Sequence, residues 1–214
     1  TVNQPVVYSD PEASKILGPN MWEWYFAQPH SVLKAPDDCE TWTFVDGEFP
    51  GAFRYNYWSK DDLIHKQRII SRLLRPNNTV MELATLLETR YGIWASNTIA
   101  VSYRGNDAVR DSRKGMEPIC GHIAAVGSLK TKYPFHKIWI QTDDSAALEP
   151  FMQAFPEAIR IVEFGVISSP DFYVDKVSGK PGYQRGLDAV AMMIIMSRCA
   201  VLVKNPSNLS DMAA

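Results

Sequence analysis

An α/β protein with a Rossmann-like parallel sheet and flanking helices is what this sequence predicts, and three observations lead there. Short runs rich in Ile, Val and aromatic residues recur at Ile99 to Tyr103, Lys137 to Gln141, Ile159 to Glu163 and Ala200 to Lys204. Stretches with helical spacing separate them, and strands alternating with helices at this distance require crossover connections and hence parallel pairing. Each of three runs stops at a polar cluster, which is where an open α/β sheet binds its ligands.

The elements follow in order. Thr1 to Gly18 is irregular and punctuated by Pro. Met21 to Phe26 packs four aromatics into five positions (Trp22, Trp24, Tyr25, Phe26) and reads as a core plug rather than a sugar-stacking platform. Trp42 to Tyr57, broken by Asp46-Gly47 and Pro50-Gly51, reads as loops with a short hairpin. Ser59 caps a helix with Asp61 and Asp62 in its first turn, an apolar face from Leu63 to Leu74 and a stop at Pro76. A second helix, Val80 to Tyr91, carries Leu83, Leu86 and Leu87 on one face and ends at Gly92.

The strand at Ile99 comes next, then a helix from about Glu117 to Tyr133 and the strand Lys137 to Gln141. Asp143-Asp144-Ser145 caps a helix running to Phe155, and Ile159 to Glu163 is the next strand. Phe164 to Tyr183 reads as a long loop, a length that compact domains often use for binding. A helix from Gln184 to Arg198 leads into Ala200 to Lys204, after which Asn205 to Ser210 opens another helix. Two regions result: residues 1–92, a partial N-terminal domain with a helical connector, and residues 93–214, the Rossmann-like domain.

Composition narrows the function classes. The chain has 214 residues, 46% of them apolar, enough for one or two real cores. Lys plus Arg number 22 against 24 Asp plus Glu, so bulk charge gives a nucleic-acid partner no support. The longest apolar run, Ala189 to Met196, falls far short of the ~20 residues that span a bilayer. Cys39, Cys120 and Cys199 are odd in number and widely spaced, which suits neither a disulfide framework nor a zinc site. His30, His65, His122 and His136 show no ligand spacing, so no metal is expected. A reducing, cytoplasmic setting is favoured over the secretory-pathway lumen. Without an initiating Met, and stopping inside a new helix, the chain reads as a fragment.

No glycine-rich dinucleotide fingerprint and no Walker loop is present, so the chemistry is expected at the strand ends. Arg104-Gly105-Asn106-Asp107 leaves the strand that contains Ser102. A guanidinium there can fork onto a phosphate, Gly105 allows close backbone approach, and Asp107 can hold the arginine. Thr142, Asp143 and Asp144 follow the second strand; the two acids either accept from ribose or base groups or simply cap their helix. Ser207, Asn208 and Ser210 open a helix after the last strand and offer hydroxyl, amide and backbone N–H donors to an anion. Asp188 reads most simply as a first-turn helix acid, and Ser197-Arg198-Cys199 as a helix end.

Three motifs in this order and spacing resemble those of the α-1,6- and protein O-fucosyltransferase superfamily: Ser-Tyr-Arg-Gly-Asn-Asp at 102–107, Ile-Trp-Ile-Gln-Thr-Asp-Asp at 138–144, and Gly186 to Ser210. The resemblance covers about half the chain, and Met21 to Pro29 is similar to an aromatic segment that precedes this domain in some bacterial relatives. It implies two Rossmann-like domains in the GT-B arrangement, with this chain holding the C-terminal, GDP-fucose-binding one and part of the N-terminal, acceptor-side one. It also implies Arg104 and Asp107 as catalytic residues, with Ser102, Arg104, Asp143, Asp144, Asp188, Ser207, Asn208 and Ser210 binding the donor. The chain departs from the pattern at three places. Ser102 stands where a base-contacting histidine is usual, Ala108 where a lysine is common, and Met192 where an acid recognises guanine. Asp188 lies one helical turn before Met192 on the same face.

The expected function is inverting, metal-independent transfer of fucose from a nucleotide-sugar donor to a glycan or protein hydroxyl. Two alternatives stay open: a non-catalytic homologue that binds nucleotide sugars or glycans, and a Rossmann-like transferase that uses another nucleotide.

Overall fold

The computed structural model describes residues 15–16, 24–27, 75–105, 118–165, 180–205 and 213. They form strands β1 (Phe26–Ala27), β2 (Arg75–Pro76), β3 (Thr98–Tyr103), β4 (Lys137–Thr142) and β5 (Val201–Lys204). The helices are α1 (Asn78–Tyr91), α2 (Ile119–Lys132), α3 (Ser145–Ala154) and α4 (Gly182–Arg198). No helix among the described residues is long and apolar enough to cross a membrane.

β3 is the centre of a parallel sheet of order β4-β3-β5, with Ile99 opposite both Ile138 and Val201. A strand buried on both faces needs apolar residues at every position, which is why Ile99-Ala100-Val101 and Ile138-Trp139-Ile140 read as unbroken runs. Alternation sends Ile99, Val101, Ile138 and Ile140 to one face, against Val126 of α2 and Phe151 of α3. Ala100 and Trp139 go to the other, against Val80, Ala84 and Leu87 of α1 and Leu187, Ala191 and Ile195 of α4. The result is helices on both sides of a parallel sheet, the expected fold class.

Local chemistry fixes the helix ends. Asn77 caps α1, its Oδ1 accepting from Val80 N at 3.1 Å. Gly92 ends the helix in the left-handed region, φ 62°; its N–H donates to Thr89 O at 3.3 Å and the Ile93 N–H to Glu88 O at 2.9 Å, so two otherwise orphaned carbonyls are satisfied. Asp144 caps α3 by accepting from Ala146 N at 2.9 Å. At the end of α4, Arg198 donates to Glu88 of α1 at 2.7 Å and the Cys199 thiol donates to Ile195 O at 3.3 Å. Burial, with the Glu88 carboxylate adding to it, pushes that thiol up to about 12.

The aromatic segment is a plug. Trp24, Tyr25 and Phe26 are buried in the cluster shared by α1 and α4. β1 pairs antiparallel with β2, Phe26 opposite Pro76. Asn77 ties the two together, its N–H donating to Tyr25 O at 2.9 Å and its Nδ2 to Trp24 O at 2.8 Å. Tyr25 stacks on Tyr183 of α4 with ring centroids 5.7 Å apart, and its hydroxyl donates to Tyr183 O at 3.1 Å. Gly186 makes this approach possible, because a Cβ there would lie 2.1 Å from the Tyr25 hydroxyl oxygen.

Two expectations are corrected. Ile159 to Glu163 is not a strand: Ile159 makes a single bridge to Trp139, and Val162–Phe164 turns as a 3-10 helix. Pairing stops because Glu163 is drawn away from the sheet toward Arg90 and Tyr91 of α1. Leu86 is 52% exposed, because the inner face of α1 runs through Val80, Ala84 and Leu87 at helical spacing. The helix expected from Ser59 falls outside the described residues up to position 74, and Arg75–Pro76, at its expected end, is strand β2. The hairpin within Trp42 to Tyr57, most of the loop Phe164 to Tyr183 and the start of a helix at Ser207 also lie outside them.

Candidate functional site

Parallel pairing brings the carboxyl ends of β3, β4 and β5 to one edge, and hydrogen bonds tie them together. Asn205, one residue past β5 and 1% exposed, grips the Arg104 peptide from both sides. Arg104 N donates to Asn205 Oδ1 at 3.1 Å, and Asn205 Nδ2 donates to Arg104 O at 3.0 Å. On the other flank Gly105 N donates to Asp143 Oδ1 at 3.1 Å. A Cβ at Gly105 would lie 2.2 Å from Asp144 Oδ2, so only glycine allows the two tips to close to this distance. Arg104 itself is exposed at the junction.

Arg104, Asp143 and Asp144 are therefore brought together, with Ser102 two residues inside β3 and buried. Asp144 caps α3 and also donates its own N–H to Thr142 Oγ1 at 3.1 Å. Asp107, Ser207, Asn208 and Ser210 lie outside the described residues. Asp188 has different company. Lys180 Nζ donates to Asp188 Oδ2 at 2.5 Å and to Glu163 O at 2.5 Å, while Gln184 Nε2 donates to Asp188 Oδ1 at 3.0 Å. Asp188 thus helps tie α4 to the turn at Glu163.

The electrostatics follow from these neighbours. Tyr103, at the end of β3, has its phenol raised above the usual value by burial and then by the Asp144 and Asp143 carboxylates. Its ring meets buried His122 of α2 edge-on at 5.2 Å. At the Glu163 turn, burial pushes the carboxyl upward, but hydrogen bonds from Tyr91 and Arg90 outweigh it and hold Glu163 below its ordinary range. Tyr91 is raised, by burial first and by that carboxylate second. Among the described residues no group of three or more His, Cys, Asp or Glu side chains is placed to hold a metal ion.

Sequence reasoning missed Asn205 as the clamp on Arg104. The available signal was a polar residue directly after an apolar run and before Pro206, a place where a buried side chain can bond the neighbouring strand tip. It also missed Gln141 and Lys204, which the sheet register sets beside Ser102.

No protein-family model matches the chain, and no curated protein does. Among solved structures it is similar to NodZ α-1,6-fucosyltransferase soaked with GDP-fucose, at 19% identity and TM-score 0.48 over 68% of this chain and 44% of that one. It is similar also to the same enzyme co-crystallized with GDP, at 18% identity and TM-score 0.48 over 73% of this chain and 46% of that one. A third structure, fucosyltransferase NodZ from Bradyrhizobium, gives 18% identity and TM-score 0.47 over 68% and 44%. The chain spans less than half the length of these three fucosyltransferase structures.

Proposed function

We propose that this chain carries the donor-binding part of a GT-B glycosyltransferase that moves fucose from GDP-fucose to a glycan or protein hydroxyl. The observation that carries the reading is the junction at Arg104. Its peptide is held by Asn205, the next residue's N–H is held by Asp143, and the exposed side chain stands where three strand ends meet. Fixing this peptide fixes the point from which the guanidinium reaches toward the strand ends, where it can answer charge that develops during a reaction. The motif order supplies the rest: residues 93–214 as the nucleotide-sugar domain and residues 1–92 as the acceptor side with its connector.

In the transfer, the acceptor oxygen attacks the anomeric carbon from the face opposite the diphosphate. The bond from that carbon to the phosphate oxygen breaks, GDP leaves with the electron pair, the acceptor proton passes to a base, and the configuration inverts. Negative charge grows on the departing diphosphate. Arg104, held by Asp107, answers it with a bidentate guanidinium, aided by the donors at Ser207, Asn208 and Ser210. Because a guanidinium and backbone donors supply the positive charge, the transfer runs without a metal. Ser102, Asp143 and Asp144 complete the set that binds the donor, while Asp188, engaged by Lys180 and Gln184, supports α4 beside it.

The test is Arg104→Ala assayed with GDP-fucose and a panel of glycan acceptors. Loss of such a group costs about 10²–10³ in rate, so turnover should fall by that amount and survive a chelator in the wild type. Near-normal turnover in the variant would remove Arg104 from the chemistry. Donor binding without turnover in the wild type would favour the non-catalytic homologue. Preference for UDP or ADP over GDP in thermal-shift assays would favour a transferase of another nucleotide.

A further inference from the structure

One residue below the tips, the sheet carries a polar row. Pairing sets Ser102 beside Gln141 of β4 on one side and beside Lys204 of β5 on the other. Paired residues of a parallel sheet share a face, and successive residues alternate. Ala100, Trp139 and Leu202 pack in the apolar cluster of α1 and α4, so Ser102, Gln141 and Lys204, two residues on, stand on that same face. The face is apolar through Ala100, Trp139 and Leu202 and turns polar in a single step.

Two side chains of this row, those of Ser102 and Gln141, are not taken up by the fold among the described residues. Ser102 and Gln141 are each 9% exposed, and Lys204 is half-buried. On the opposite face the corresponding hydroxyl, Thr142 Oγ1, is taken up within the fold by the Asp144 N–H. Among the described residues no such bond engages the Ser102 hydroxyl or the Gln141 carboxamide. A hydroxyl and a carboxamide that the fold leaves without such a bond are open to a polar ligand at the sheet edge. Neighbouring strands lie about 4.8 Å apart, so the row runs about twice that length from an ammonium through a hydroxyl to an amide. A lysine one residue before the Asn205 clamp on Arg104 suits a diphosphate, and a hydroxyl and an amide in the same row suit the hydroxyls of a ring.

We infer that Gln141, Ser102 and Lys204 form the floor of a glycosyl-diphosphate subsite. Lys204 is a second cation on the diphosphate beside Arg104, while Ser102 and Gln141 hydrogen-bond the attached sugar. Gln141 and Lys204 lie within the resembling motifs, at positions to which the resemblance assigns no role. The inference rests on the donor-site reading above and assigns further residues to that site.

Calorimetric titration of the full chain with GMP, GDP and GDP-fucose tests it. Lys204→Met keeps the aliphatic stem and removes the charge. A lost charge-assisted bond should weaken GDP roughly tenfold to hundredfold and leave GMP close to the wild-type value, which also shows that the variant is folded. Lys204→Arg should restore GDP binding, and Gln141→Leu should weaken GDP-fucose while leaving GDP unchanged. Lys132→Met, an exposed lysine on α2, should alter none of the three affinities. Wild-type affinity for GDP in Lys204→Met, or equal losses for GMP and GDP, would overturn the diphosphate role. Unaltered GDP-fucose binding in Gln141→Leu would overturn the sugar contact. A wild type that binds none of the three ligands would overturn the donor-site reading and this one with it, whereas a wild type that binds GDP beside unaffected variants would overturn this inference alone.

Discussion

Replacing Asn205 with Ala removes both side-chain groups that hold the Arg104 peptide, and the cost can be worked from the geometry. Asn205 is 1% exposed and makes bonds of 3.1 and 3.0 Å to the N–H and C=O of that peptide. Truncation leaves a buried donor and acceptor without their partners at about 1–3 kcal/mol each. Because Arg104 is itself exposed, water reaches part of the gap, and the expected loss is about 2–4 kcal/mol. Urea denaturation measures it, with an unchanged m-value showing that the same structure unfolds. Asn205→Asp sharpens the test: it keeps an acceptor for the Arg104 N–H but sets a carboxylate against the Arg104 carbonyl, so it should rescue little. An Asn205→Ala unfolding free energy within about 0.5 kcal/mol of wild type would refute the clamp, and the fixed backbone beneath Arg104 would go with it.

Other consequences are open to direct measurement. Gly186→Ala should destabilise the fold by about 1–3 kcal/mol by overpacking against Tyr25, and a cycle with Tyr25→Ala should show strong coupling; additivity would mean the ring simply moves aside. Cys199, with its thiol pushed up to about 12, should resist iodoacetamide at about pH 8 while exposed Cys120 is alkylated, as peptide mass spectrometry would show. Equal labelling of the two would contradict the burial of Cys199. Glu163 titrates below the ordinary 4.5, so its contribution to stability is present above that value and is lost as the pH falls through the lower folded value. The gap in melting temperature between wild type and Glu163→Gln should therefore narrow in acid, and a gap that widens there would reverse the sign of the argument.

What was legible in the sequence was whatever short-range chemistry dictates. Ile99 to Val101 and Ile138 to Ile140 announce doubly buried strands because no polar residue interrupts them. Asp144 and Gly92 announce helix boundaries because a carboxylate at a first turn and a left-handed residue at a last one are local solutions. The convergence of Arg104 with Asp143 followed from parallel topology alone. What stayed hidden depends on residues far apart in the chain. Glu163 is pulled from the sheet by Arg90 and Tyr91, 73 and 72 positions away, which no periodicity encodes. Asn205 meets Arg104 across 101 positions. For Asp188, the bond from Gln184 follows from helical spacing, but the bond from Lys180, outside the helix, does not. Lys204 and Gln141 became visible only once the register placed them beside Ser102.

The contact between Tyr25 and Tyr183 bridges 158 positions. During synthesis the aromatic plug leaves the ribosome long before α4, so Trp24, Tyr25 and Phe26 can meet β2, Asn77 and α1 first but lack the Tyr183 side of their socket until α4 has emerged. Contacts of such separation close late and slow the approach to the native state. Nascent chains arrested before Tyr183 should therefore need a chaperone over this stretch, and releasing them past Arg198 should end that need.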